Sequence, residues 1–346
     1  MTTAQIIEPV TGTVAPPHPR MRPATIVLGV NALLAMLVWV AWAALGGERA
    51  LAAMQENSTI SFAMVLGSLI GGGTSEGGGA VGFPVLTKVM HVPAPTARLF
   101  TYAIQSVGMG CAALSILISR ISVDRWVLRR ALPAAAVSVV VGILGVAPHV
   151  PPVHVRLVFT ALLTSLAIAL VVQSSHAGSA RRAYLPRGAR ESAIVMLFAS
   201  LGGLVSSVAG VGENTLMFIG LVLYFKLSER VATPTTVVLM AAVSWASFAT
   251  HALVVRDFAG PVVDLWLAAV PVVAVGAPLG ALLCTKMSEP AIRFTLIGLI
   301  GVELVSTLVL VKMSAADAVV GLTALVGLTS LCLLLARSRR YLVKRG

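Results

Sequence analysis

The sequence has few charged residues: Asp, Glu, Lys and Arg together make up 11% of its 346 residues. A soluble domain carries about 25%, so this composition excludes an ordinary water-soluble fold. The hydrophobic fraction of 58% excludes a disordered chain as well. The three cysteines show no CxxC spacing, and the histidines and carboxylates form no metal-binding pattern. No Walker A motif is present, so we expect no metal, no cofactor and no ATP-driven step.

Long apolar runs dominate what is there. Ten stretches between residues 23 and 336 are each long enough, or nearly so, for the roughly 20-residue helix that crosses a bilayer. The net charge of +12 comes from basic residues that lie between these runs. This placement indicates membrane topology rather than nucleic-acid binding. The sequence therefore predicts an all-α polytopic membrane protein whose surroundings are the lipid bilayer.

Two of the apolar segments are interrupted by glycine. Residues 58–88 contain the run GGGTSEGGG at 71–79, and residues 192–225 contain GVGENT at 210–215. Such runs break a helix, and non-helical backbone at membrane depth is tolerated only where protein or a wet cavity covers it. Each segment is long enough for two half-helices, so we predict two re-entrant hairpins and about eight spanning helices.

The two glycine-rich segments begin an internal repeat. A shift of 135 residues aligns residues 66–116 with 201–251 without a gap. Identical pairs include Gly77 and Gly212, Phe83 and Phe218, Ala97 and Ala232, and Thr101 and Thr236. The unbroken register and the shared glycine position predict a duplication.

The distribution of basic residues predicts how the copies are oriented. If both glycine-rich segments return to the side they enter, 19 basic residues lie inside and 6 outside. If every segment crosses, the counts are 14 and 11. The positive-inside rule favours the first arrangement. It predicts two repeats of opposite topology, with both termini cytoplasmic and the hairpin tips meeting near the midplane, as in many secondary transporters.

These patterns divide the chain into seven parts. We expect a disordered cytoplasmic tail at 1–23, an additional span at 24–46, a first repeat at 58–174, a cytoplasmic linker at 175–191, a second repeat at 192–312, a final span at 315–336 and a basic cytoplasmic tail at 337–346.

The hairpin tips are the candidate substrate site. A half-helix that starts at each tip would direct free backbone N–H groups inward, and such ends bind anions. Hydroxyl and amide side chains lie at the tips and on the following spans, although each alone is often only a helix–helix contact. The candidate substrate-binding residues are Thr74, Ser75, Gly77, Gly78, Gly79, Gln105, Ser106, Gly210, Gly212, Asn214, Thr215 and Ser244. The alternative is that the glycines only permit tight helix packing.

Three carboxylates are predicted at membrane depth, where an ionisable residue is a functional candidate by default. They are Glu76, Glu213 and Glu303, and with His251 they form our candidates for proton coupling. Glu76 and Glu213 have the alternative role of capping their own half-helices. Glu303 has the alternative of pairing with a residue such as His251.

One pattern resembles that of an enzyme. Residues 73–77 match the form G-x-S-x-G, but no strand precedes them as the nucleophile elbow requires. An intramembrane serine hydrolase would need Ser75 and His251 to converge. A non-transporting subunit of a larger assembly is a further alternative.

The sequence resembles the TauE/SafE family of sulfite and organosulfonate exporters over roughly residues 60–312. The resemblance rests on SEGGGAVGFPVL at 75–86 and on Ala-x-x-x-Thr at 97–101 and again at 232–236. It implies a transporter that moves small anions, often sulfur oxyanions, out of the cytoplasm, and we expect a bacterial inner-membrane location. The chain departs from the family pattern by placing Glu76 and Glu213 at the proposed tips.

Overall fold

The computed structural model describes residues 22–74, 76, 78–174, 184–311 and 313–337, and the elements of this described part are all helices. The helices are α1 Ala24–Glu56, α2 Ser58–Gly73, α3 Gly79–Pro84, α4 Ala94–Ile118, α5 Arg125–Gly145, α6 Pro152–Ser174, α7 Ala189–Ala209, α8 Glu213–Phe218, α9 Glu229–Ala249, α10 Pro261–Lys286, α11 Glu289–Leu310 and α12 Ala315–Arg337. Three of them continue as π-helix: α3 to Val89, α8 to Tyr224 and α9 to Val255.

Within these ranges, nine helices are long and apolar enough to cross a membrane. The prediction of an all-α polytopic membrane protein is therefore confirmed. Eight of the nine correspond to the predicted spans. The ninth is α7, the first arm of the second glycine-rich segment, whose 21 residues also reach spanning length. The re-entrant course of the two segments stays a prediction. The predicted tails and most of the predicted linker lie outside the described residues.

Both glycine-rich segments are broken helices whose arms run antiparallel. In the first, α2 ends at Gly73, and along the two arms Gly67 lies against Val81 while Gly82 lies against the Met64 sulfur. Residue numbers therefore rise along one arm where they fall along the other, so the two arms are antiparallel. The chain reverses direction between residues 73 and 79, at the predicted break.

The second segment repeats this arrangement. Its first arm ends at Ala209 and its second begins at Glu213. Gly202 lies against the Glu213 backbone, and Gly220 lies against the Phe198 ring. The reversal falls at 210–212, again where the glycines predict it.

The second arms are too short to cross a bilayer. Residues 79–89 and 213–224 are 11 and 12 residues long, about 16–18 Å of helix against a hydrocarbon core of about 30 Å. Four residues then lead from each arm into the long helices α4 and α9. Each long helix therefore starts close to the level where the preceding short arm ends.

The helix order repeats along the chain, and the two copies make reciprocal contacts with each other. Helices α2 to α6 correspond in order to α7 to α11; α4 starts at residue 94 and α9 at 229, a shift of 135 residues. Gly72 of α2 lies against Ala277 of α10, and Ser207 of α7 lies against Gly142 of α5. The 135-residue shift relates Gly72 to Ser207 and Gly142 to Ala277, so the two contacts are equivalent with the two copies exchanged. Such reciprocal contacts are expected between copies related by a two-fold axis.

Helices α1 and α12 flank this repeated core. The indole nitrogens of Trp39 and Trp42 donate to carbonyls of α10 at 2.9 and 2.8 Å, so α1 packs on α10. A hydroxyl contact of 3.0 Å between Ser165 and Thr329 joins α12 to α6. The additional N-terminal span bends at Gly47, where φ is +53°.

A topology experiment tests the first hairpin. In a background without the three buried native cysteines, single cysteines at Asn57 and His91 flank the segment. We expect both to react with a membrane-impermeant maleimide from the outside of intact cells, because a re-entrant segment returns to its starting side.

The second hairpin provides the matched comparison. Cysteines at the exposed residues Arg187 and Arg230 are expected to react only after the membrane is permeabilised. Labelling of Asn57 and His91 from opposite sides would make the first segment an ordinary crossing.

Candidate functional site

The first tip lies between the end of α2 and the start of α3. Thr74 leaves the helix with φ −130° and ψ 170°, and its hydroxyl accepts a 3.3 Å hydrogen bond from the Glu76 amide. Gly78 and Gly79 then start the second arm. Two predicted site residues, Ser75 and Gly77, lie outside the described residues.

The second tip requires glycine for conformational reasons. Gly210 and Gly212 have φ of +81° and +126°, values that residues with a Cβ atom rarely adopt. The Asn214 side-chain oxygen accepts a 3.3 Å hydrogen bond from the Gly212 amide and helps to hold the turn.

The structure brings the two tips into contact. The Thr215 hydroxyl of the second tip donates to Glu76 Oε2 of the first at 3.0 Å. A Cβ atom at Gly79 would overlap Val211 and would lie 2.5 Å from Gln105 Nε2. The backbone at Gly79 therefore packs directly against the other tip and against α4, an approach that any side chain would prevent.

Helices α4 and α9 form the wall beside the tips. Ser244 of α9 donates to Gln105 Oε1 of α4 at 3.1 Å, so these two predicted residues meet. Ser106 differs: its hydroxyl donates to Ala103 O of its own helix, and its carbonyl accepts from Trp245. In this conformation Ser106 is a helix-packing residue, which is the alternative that its position left open.

The polar site is closed to solvent in this conformation. Each of the side chains that meet here is at most 2% exposed: Thr74, Glu76, Gln105, Glu213, Asn214, Thr215 and Ser244. A solute can reach such a site only when neighbouring elements move apart.

The Glu213 carboxyl group has an unusual environment. It is 1% exposed, and within the described part of the chain neither of its oxygens has a hydrogen-bond partner. Its alternative role, capping its own half-helix, stays a prediction. Burying an ionised carboxylate without a partner is expensive. The part of Glu213 in proton coupling stays a prediction.

Glu303 lies elsewhere, in an ion pair with Lys88. Lys88 Nζ donates to Glu303 Oε1 at 2.8 Å, to Ser306 at 2.8 Å and to Thr307 at 2.9 Å. Lys88 follows Gly78 by ten residues of helix, roughly 15 Å, so the pair lies well away from the first tip. The alternative partner considered for Glu303, His251, is not the one found.

His251 is paired within its own region. Its Nδ1 lies 3.0 Å from Asp257, only six residues further along the chain. Its ring stacks on Tyr102 of α4 at 5.6 Å, and the Tyr102 hydroxyl donates to Ser206 O of α7. This stack connects α9 to the second hairpin.

The sequence analysis missed two basic residues of the site region, because it used each of them only as a loop charge in predicting the topology. Lys88 is buried in the pair just described, and Arg98 lies in the second turn of α4 against Gly210. For Lys88 the available signal was its position nine residues after the first glycine run, and for Arg98 the sequence offers none.

Two antiparallel broken helices that meet in a closed polar site, within a bundle of apolar helices, define an integral membrane protein built like a transporter. The chain belongs to the TauE/SafE sulfite exporter family, whose model matches residues 59–306. The match includes both hairpins and most of α11, and it leaves out α1 and α12. Among curated proteins and solved structures, none matches the chain. Membership implies a membrane transporter of sulfite or related anions.

Proposed function

We propose that the protein exports a small oxyanion, sulfite or an organosulfonate, across the bacterial inner membrane by alternating access. The observation that carries the proposal is the meeting of the two tips in a buried polar site, through Thr215 and Glu76. A ligand enclosed there is accessible from neither side, which is the occluded state that alternating access requires.

The exchanged packing of the two repeats supports this mechanism. A two-fold relation with its axis in the membrane plane would give the hairpins opposite directions of entry. The exchanged contacts of Gly72 and Gly142 fit such an axis. Opening on one side would then use the same packing surfaces as opening on the other.

The membrane potential is a sufficient driving force for export. An inside-negative potential moves an anion outward with roughly 2.3 kcal/mol per charge per 100 mV. We therefore propose transport without an obligatory coupling ion, with both termini in the cytoplasm.

Flux measurements on the purified chain in liposomes test the proposal. We expect sulfite efflux that rises with an inside-negative potential and is inhibited by excess organosulfonate. Empty liposomes are the control. Because no second protein is present, flux would also dismiss a mere subunit role. Absence of flux with both ligands, from protein that is folded by melting and gel filtration, would overturn the proposal.

Proton coupling is the second candidate, and the buried, unpartnered Glu213 carboxyl group favours it. Flux should then respond to a pH gradient at zero potential. Glu213→Gln should remove that response, since glutamine has nearly the same shape but no titrating proton. Under the first proposal, flux follows the potential in both proteins.

A further inference from the structure

Arg98 is a basic residue that lies against the second hairpin tip. It is partly buried in the second turn of α4. A Cβ atom at Gly210 would lie 3.2 Å from its Cγ and 3.4 Å from its Cα. The side chain thus runs along the glycine backbone where α7 ends.

The guanidinium group is poorly satisfied there. Its Nη1 lies 3.5 Å from Val208 O, at the outer limit for a hydrogen bond. Its Nε is buried with no hydrogen-bond partner. In the described ranges Arg98 forms no ion pair, although the unpartnered Glu213 belongs to the same tip.

The neighbours of Arg98 hold its surroundings in place without neutralising it. Tyr102, one turn further along α4, is bonded to Ser206 O and stacked on His251. His251 is in turn paired with Asp257 through Nδ1. A partly buried cation with an unpaired Nε donor is therefore kept at a fixed position beside the second tip.

We propose that Arg98 is the cationic ligand of the transported anion and sets the preference for oxyanions. This inference rests on the proposed function and deepens it. A guanidinium group presents a planar fork of N–H donors that matches two oxygens of one anion. Sulfite and sulfonates present such pairs of oxygens, whereas a halide does not.

Gln105 marks a second position further along the same face of α4. Its Nε2 is also buried without a partner, and it lies against the first tip. The two residues are seven apart, about 10 Å along the helix axis. A small oxyanion therefore contacts Arg98 and Gln105 at successive positions rather than together.

Binding to purified protein tests the role of Arg98, with sulfite, methanesulfonate and chloride as the probes. We expect Arg98→Gln to weaken sulfite and methanesulfonate binding about 10- to 100-fold, the range for one charged hydrogen-bonding contact. Arg98→Lys should retain part of the affinity but lose selectivity over chloride, because an ammonium group lacks the fork. Arg129→Gln, which removes an exposed arginine of α5, is the control and should bind as wild type does.

A second measurement does not depend on folding of the variants. Sulfite should slow the modification of Arg98 by phenylglyoxal in native protein, followed by mass spectrometry of its peptide, and should leave Arg129 unaffected. Wild-type affinity in folded Arg98→Gln, or unprotected labelling of Arg98, would overturn the inference and leave the proposed function standing. Wild-type protein that neither binds nor transports either oxyanion would instead overturn the proposed function, and this inference with it.

Discussion

Gly79→Ala is expected to lower sulfite flux about 10- to 100-fold. The added methyl group would overlap Val211 and press on Gln105 and Thr101. Val211 is β-branched and stiff, and Gln105 is held by Ser244, so neither can move aside easily. Overpacking of this kind costs about 1–3 kcal/mol, and each 1.4 kcal/mol is a factor of ten. The tips would separate, and the closed state that both repeats share would become rare.

The effect of Gly79→Ala must be distinguished from a general effect of losing a glycine. Gly298 lies in α11, and a Cβ atom there would meet nothing within 4 Å. Gly298→Ala should therefore keep wild-type flux. Both variants are compared by flux in liposomes and by melting temperature in detergent. Wild-type flux from Gly79→Ala would show that the close contact between the tips is not needed for transport.

Much of the fold follows from local sequence properties. Glycine runs break helices wherever they occur, so the positions of both reversals could be predicted without knowing any packing. Charge depletion and run length likewise predicted the membrane helices, because the bilayer sets a length that does not depend on tertiary detail. The structure has one more helix of spanning length than predicted, α7, for the same reason. As the long first arm of the second hairpin, α7 also satisfies the length criterion of a span.

The binding role of the candidate residues stays a prediction, but the position of two of them has a simple physical reason. Gln105 and Ser244 come together because each lies on the long helix that follows its hairpin, α4 or α9, and these two helices are in contact. The partners of Glu303 and the position of Arg98 depend on how helices rotate about their axes, which hydrophobic runs do not specify. Lys88 and Glu303 are 215 residues apart. Only the packing of α11 against the first hairpin brings them together.

Breaking the Lys88–Glu303 pair is expected to cause the largest loss of stability. The two side chains are only 2% and 7% exposed, and the ammonium group uses all three of its N–H donors. Lys88→Met would leave the buried Glu303 carboxylate without its hydrogen-bonded cation, and removing one partner of such a pair costs about 3–5 kcal/mol. The change should appear as a lower melting temperature and a lower denaturant midpoint in detergent.

The double variant separates the value of the pair from the penalty of an unpaired charge. Lys88→Met combined with Glu303→Leu removes both charges and keeps similar volumes. Replacing a buried pair by apolar residues is often neutral or stabilising, so we expect the double variant to be more stable than Lys88→Met alone. Such non-additivity is the measure of direct coupling.

The exposed pair of Arg49 and Asp264 serves as the control. Arg49→Met breaks this pair, whose length of 2.7 Å is similar, and should change the melting temperature little. If the losses of stability caused by Lys88→Met alone and by Glu303→Leu alone simply add in the double variant, the buried pair is not a coupled unit. The first hairpin must then be held to α11 by apolar packing.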